Sequence, residues 1–147
     1  MINSRIILFV GFCALLTACS RKPADNLVCH GDDCIKVRIA DDELERRTGL
    51  QNVKELADDE GMFFVFFRNA PYAFWMKGTL IPLDIIWINS DQEVVHIEKS
   101  VPPCAEDPCP TYAPEGPARY VLEINAGKAE KMDLRRGAHL EFRLNDW

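Results

Sequence analysis

Four of the chain's six cysteines fall into two Cys-x4-Cys pairs, Cys29–Cys34 within CHGDDC and Cys104–Cys109 within CAEDPC. No other feature restricts the fold as much, because cysteines this close can bond to each other only if the chain reverses within each hexapeptide. Four cysteines allow three connectivities. Gly31-Asp32-Asp33 and Asp107-Pro108 are turn formers that bring the ends toward the Cα separation of about 5.5 Å a disulfide needs, which favours the local pairs. Two other uses compete. Structural zinc commonly takes cysteines about two to four residues apart, so this spacing is at the edge. Redox pairs use Cys-x-x-Cys ahead of a helix, which neither hexapeptide has, and the prolines around 102–110 oppose a helix there. Disulfides belong to oxidising compartments, so the pairing asks for an export signal.

The N-terminus supplies one. Arg5 precedes an eleven-residue apolar run, Ile6–Leu16. A helix needs about 20 residues to cross a hydrocarbon core of about 30 Å, so the run suits a cleaved signal rather than a span. It ends in Leu16-Thr17-Ala18-Cys19, which resembles the lipobox of bacterial lipoproteins. The resemblance implies a signal peptide over 1–18, lipidation of Cys19 as the new N-terminus, and, with Ser20 behind it, passage to the outer membrane. More than one acyl chain anchors stably. The expected location is the cell envelope, facing the periplasm. The formal net charge is −6 and the pI about 5.1. Such a surface is repelled by anionic headgroups and does not neutralise nucleic-acid phosphates, so the lipid is the membrane contact and no nucleic-acid partner is expected. Ser20–Asn26 reads as a tether, giving three units: 1–18 signal, 19–34 tether with the first cysteine pair, and 35–147 domain.

That length is enough for one domain, and 48% hydrophobic with 27% charged residues is a globular composition. Ile35–Ile39 alternates apolar with basic residues, a half-buried strand. Asp41 or Asp42 caps a short helix through Arg47, with Gly49 as its stop. Met62–Phe67 is six apolar residues in a row, a strand covered on both faces. Phe74–Met76, Ile81–Ile88 and Glu93–Lys99 read as further strands, with Pro82 at a start or bulge. Val101–Pro117 holds six prolines in seventeen residues and reads as a loop stapled by Cys104–Cys109. Arg119–Ile124 puts Tyr120, Leu122 and Ile124 on one face. Gly127–Leu134 makes a short helix, and Ala138–Leu144 closes with Leu140, Phe142 and Leu144 inward. The pattern predicts a compact α+β domain, mainly β, of about seven strands, barrel-like or a sandwich, with two short helices.

Several blocks carry a family resemblance: Asp59–Phe66 (DEGMFFVF), Phe74–Ile86 (FWMKGTLIPLDII), Pro102-Pro103-Cys104, Asp107–Tyr112 and Arg119–Gly127 (RYVLEINAG). In this order they resemble the DUF192 family, also called UPF0127, over roughly 35–144. The resemblance implies a small, mainly β domain, often exported, and implies no activity. Gly78 stands where the family usually has Asn, and Gln51 and Val53 where Met and Arg are usual.

The FWMKGTLIPLD block also supplies the candidate site. Trp75, Lys77, Thr79 and Asp84 offer an aromatic face, a cation, a hydroxyl and a carboxylate within ten positions. Binding sites combine apolar walls with a few polar groups of this kind. Asp84 sits in an apolar run, so it must find a partner, with Lys77 and Arg119 as candidates, or accept a raised pKa. The competing reading is that Asp84 pairs with one of these or with backbone N–H groups only to fix a loop. His30, His96 and His139 are far apart and read as surface. No nucleophile, metal or phosphate-loop motif is present, so no metal or cofactor is expected. The functional expectation is a non-catalytic envelope accessory protein that binds a small ligand or an envelope protein. The alternative is an enzyme using Lys77 and Asp84, or a thiol–disulfide step at Cys104 and Cys109.

Overall fold

A computed structural model describes residues 25–145; the expected leader and Cys19 lie outside the described residues. The order is β1 (Leu27–His30), β2 (Asp33–Ala40), α1 (Glu43–Thr48), β3 (Glu60–Ala70), β4 (Phe74–Trp75), β5 (Leu83–Ile88), β6 (Val94–Val101), β7 (Thr111–Tyr112), β8 (Ala118–Asn125), α2 (Lys128–Lys131) and β9 (Glu141–Arg143). Seven strands form one sheet in the order β6-β5-β8-β3-β2-β1-β9, and β4 pairs with β7 in a separate ribbon. All neighbours in the large sheet are antiparallel except β2 and β3. That parallel pair requires a crossover, and residues 41–59 make it, with α1 inside. Asn125 Nδ2 pins its far end by donating to the carbonyls of Leu56 (2.8 Å) and Ala57 (3.1 Å).

The sheet curls until its two edges meet at one end. Val94 N–H donates to Ala138 O at 2.9 Å, Gly137 N–H to Val94 O at 2.8 Å and Leu140 N–H to Gln92 O at 2.9 Å. Edge groups that would otherwise be open to another chain are thereby paired. The result is a mainly β half-barrel with two short helices.

Strand alternation divides the core in two. Phe63, Val65, Ile86, Leu122 and Ile124 join Val28, Ile35 and Leu140 in one cluster, with α2 packed against it through Ala129. Met62, Phe64, Ile85, Trp87 and Val121 point the other way, under Leu50, Met76 and Val101. Trp87 is fully buried and its indole N–H donates to Tyr72 O at 2.8 Å. Both faces of β3, β5 and β8 are therefore covered, as continuous apolar runs require.

Three placements differ from the sequence expectations. Cys29–Cys34 lies inside the sheet, because β1 pairs with both β2 and β9 and its bridge joins two directly opposed residues. Phe67, the end of the apolar run in β3, is 97% exposed, since the β3–β8 register breaks after Val65. The 101–117 loop contains β7, which takes β4 out of the main sheet. Cys104 and Cys109 are bonded, with Cα atoms 5.7 Å apart.

Candidate functional site

α1 begins and ends as its sequence dictates. Asp42 Oδ1 accepts from Glu45 N–H at 2.7 Å, while Glu45 Oε2 accepts from the N–H groups of Asp41 (3.1 Å) and Asp42 (3.5 Å). This capping box fixes the start, and acidic residues in the first turn with basic ones in the last suit the helix dipole. Gly49 stops the helix at a φ of 47°, and its N–H donates to Glu45 O at 2.8 Å. The last turn thus delivers Arg46 and Arg47 to the outer face of the sheet.

The segment that follows is stitched to the bend after β4. Gln51 and Thr79 form an antiparallel bridge, and Asn52 N–H donates to Gly78 O at 2.8 Å. Gly78 has a φ of 72°. Glycine and asparagine tolerate this left-handed conformation best, which accounts for both the residue here and the family's usual Asn. The same bend is held on its other side by Lys77, which bridges to Cys104 and whose Nζ donates to both oxygens of Asp107 (3.0 and 2.8 Å). The Cys104–Cys109 loop is therefore a brace for Lys77, whose ammonium lies 5.9 Å from the Trp75 ring centre.

Between these segments lies a narrow cleft of about 30 Å³, room for about two waters, that opens outward. Arg46, Arg47 and Gln51 line one side, and Trp75, Lys77 and Thr79 the other. Phe64 and Phe74, packed edge to face at 4.9 Å, also line it. Glu123 of β8 reaches it from the sheet. Its register partners are Met62 on β3 and Ile85 on β5, so both flanking strands offer it only apolar neighbours. Glu123 is 5% exposed and its carboxyl pairs with no described residue; its oxygens keep contact with solvent at the cleft, since among the described residues only the Arg119 Nε is a buried side-chain polar atom left without a partner. Burial pushes it up from the usual carboxylate range to about 8.

The structure brings together only some of the expected site residues. Trp75, Lys77 and Thr79 share the cleft. Asp84 does not: it is fully buried, its Oδ1 accepting from Ser100 N–H at 2.7 Å and its Oδ2 from Ala129 N–H at 2.9 Å. Its partners are thus main-chain donors rather than Lys77 or Arg119, and it ties the end of β6 to α2. Arg119 lines a neighbouring depression with Phe66 and Phe67, its guanidinium 5.6 Å from the Tyr120 ring centre and its buried Nε without a partner. His96 is partly buried rather than surface, 3.1 Å from Glu98 and packed edge-on to Trp87. Among the described residues, no group of three or more His, Cys, Asp or Glu side chains converges as a metal site would.

Sequence reasoning missed Glu123, because in Arg119–Ile124 it weighed only the face of Tyr120, Leu122 and Ile124. The available signal was the one that singled out Asp84, a lone acid in an apolar run.

The DUF192 family model, described as an uncharacterized ACR, matches residues 27–142. The chain belongs to the DUF192 family. This DUF192 domain is similar to a protein from Sinorhizobium meliloti 1021 described as a "putative transcription regulator", at 31% identity and a TM-score of 0.72, over 80% of this chain and 91% of that one. It is also similar to a protein of unknown function from Novosphingobium aromaticivorans DSM 12444, at 32% identity and a TM-score of 0.71, over 80% and 83% of the two chains. No curated protein matches the DUF192 chain.

Proposed function

We propose that this DUF192 protein is an envelope lipoprotein, anchored through Cys19, whose domain binds a small ligand at the mouth of the cleft between α1 and the 74–79 segment. The Glu123 carboxyl carries the binding reading. A nearly buried carboxyl that meets solvent only through a cleft with aromatic walls is an arrangement that binding sites use. Export is supported by the Ile6–Leu16 run, the lipobox-like Leu16–Cys19 and the two disulfides, which an oxidising compartment maintains. A transcription-regulator role, the description attached to the Sinorhizobium relative, is disfavoured where it requires direct contact with nucleic acid, given the net charge of −6.

Catalysis through Lys77 and Asp84 is disfavoured because the two side chains do not meet and both Asp84 oxygens are engaged by the main chain. Two experiments test the proposal. Cys19→Ser expressed with its leader in an exporting bacterium is expected to move from the membrane to the soluble fraction, and continued membrane retention overturns the anchor. A thermal-shift screen of small molecules is expected to yield compounds that raise the Tm of the wild type and not of Thr79→Phe, which blocks the cleft. A screen in which every hit stabilises both proteins equally overturns the cleft reading.

A further inference from the structure

A second depression, bordered like the cleft by Arg46, has the room that the cleft lacks. Its volume is about 330 Å³, within the range of small-molecule pockets. The pairing of β3 with β8 opens it. Val65 stands opposite Tyr120 and Ala70 opposite Ala118, so Phe66, Phe67, Arg68 and Asn69 face Arg119 alone. Bulges of this kind break the ladder locally and recur beside functional sites. The bulged segment is tied down. Phe66 stacks on Tyr72 at 3.6 Å, the Tyr72 hydroxyl donates to Arg68 O at 3.0 Å, and Asn69 Nδ2 donates to Ser90 Oγ at 3.1 Å.

Arg119 lines this depression and makes no hydrogen bond or ion pair with any described residue. Its Nε is buried, whereas its terminal nitrogens, also unpaired, keep contact with solvent. A guanidinium stripped of water along one edge gains more from an acceptor at its open end than one free in solvent. Arg46 borders the same space, and its Nη1 donates to the main-chain oxygens of Asp41 and Val65, which leave its charge unneutralised. The Asp41 carboxylate, in no ion pair, is the one acidic group there. Two guanidinium charges against one carboxylate leave a single positive charge, which suits a monoanion. Val65, Phe66 and the 97% exposed Phe67 make the rest of the lining apolar.

We infer that this depression binds a small monocarboxylate with an apolar body: the carboxylate accepts from the terminal nitrogens of Arg119, Arg46 adds to the positive field, and the body lies against Phe66 and Phe67. The planar guanidinium fork matches a carboxylate with two parallel hydrogen bonds. Glu123 and the cleft above it take no part.

Three probes of similar shape, 3-phenylpropionate, its amide and phenyl phosphate, are titrated into the full chain carrying Cys19→Ser. The readout is the NMR shift of the backbone amides of 66–69 and of the Arg119 Nε–H. The carboxylate is expected to move these resonances at millimolar concentration or below and to bind more tightly than either analogue. Arg119→Met is expected to weaken it at least about tenfold, since hydrogen bonds to a charged group are lost. Two substitutions at exposed positions keep the test alive if Arg119→Met fails to fold. Phe67→Ser is expected to weaken binding severalfold, and Asp41→Asn, which removes the opposing charge, to strengthen it about threefold. Thr79→Phe is expected to bind as the wild type does, so this site and the cleft fail separately. Equal or tighter binding of the amide or the phosphate overturns the inference. So does unchanged affinity in both Phe67→Ser and Asp41→Asn, unchanged affinity in a folded Arg119→Met, or no carboxylate binding at millimolar concentration.

Discussion

Replacing Glu123 with Gln should change how the protein's stability depends on pH more than any other single substitution at the cleft. In the unfolded chain the carboxyl titrates near 4.5, and in the fold burial raises it to about 8. Between those values the folded state holds a proton that the unfolded state has released, so stability falls as pH rises. The contribution is fully present below pH 4.5 and is lost as pH climbs through about 8. A gap of about 3.5 pH units, at about 1.4 kcal/mol each, amounts to roughly 5 kcal/mol. Small domains have only about 5–15 kcal/mol to lose. Glu123→Gln removes the titrating group and leaves the others in place, so their contributions cancel in the difference between the two proteins. The assay is urea unfolding of both at steps from pH 4.5 to 9, with the disulfides kept oxidised. The difference should move in favour of Gln by several kcal/mol across that range. Curves parallel within about 0.5 kcal/mol would mean that the Glu123 carboxyl is ionised and hydrated in the fold, and the argument for a desolvated floor would fail.

Asp84→Ala leaves the N–H groups of Ser100 and Ala129 without their acceptor, and a loss of about 3 kcal/mol or more is expected in urea unfolding, with Asp84→Asn intermediate. A loss under about 0.5 kcal/mol would show that water replaces the carboxylate there. Removing both Cys104 and Cys109 opens a loop of sequence separation 5 and should cost about 2 kcal/mol. Amide exchange should then quicken in 104–112 and at Lys77, whereas unchanged exchange at Lys77 would separate the loop from the cleft wall. Lys77→Met breaks an exposed pair and should cost under about 1 kcal/mol in urea unfolding. A large stability loss would give Lys77 a structural role instead.

Much of the architecture was legible because its determinants are local. The Asp42–Glu45 capping box, the Gly49 stop and the alternation in Ile35–Ile39 act over a few residues, and the structure places α1 and β2 accordingly. The local cysteine pairing follows from turn formers inside each hexapeptide. β1 was hidden because LVCH is too short to show a period, and its strand character comes from pairing on both sides. β7 was hidden among prolines for a similar reason, since only β4 gives it a partner. At the site, Trp75, Lys77 and Thr79 were identified from one block and share one cleft, whereas Asp84 and Arg119 were assigned to it and lie elsewhere.

Sequence alone determined most of the strands and where α1 starts and stops, and it favoured the local cysteine pairs, because those outcomes depend on groups within a few bonds of one another. Only the tertiary structure decided the state of Glu123. That carboxyl is buried because β8 runs between β3 and β5, and the cleft above it is walled by α1 and the 74–79 segment, which are far apart along the chain. Desolvation is a property of the assembled surroundings, so no reading of RYVLEIN by itself could show that this acid's pKa is pushed up.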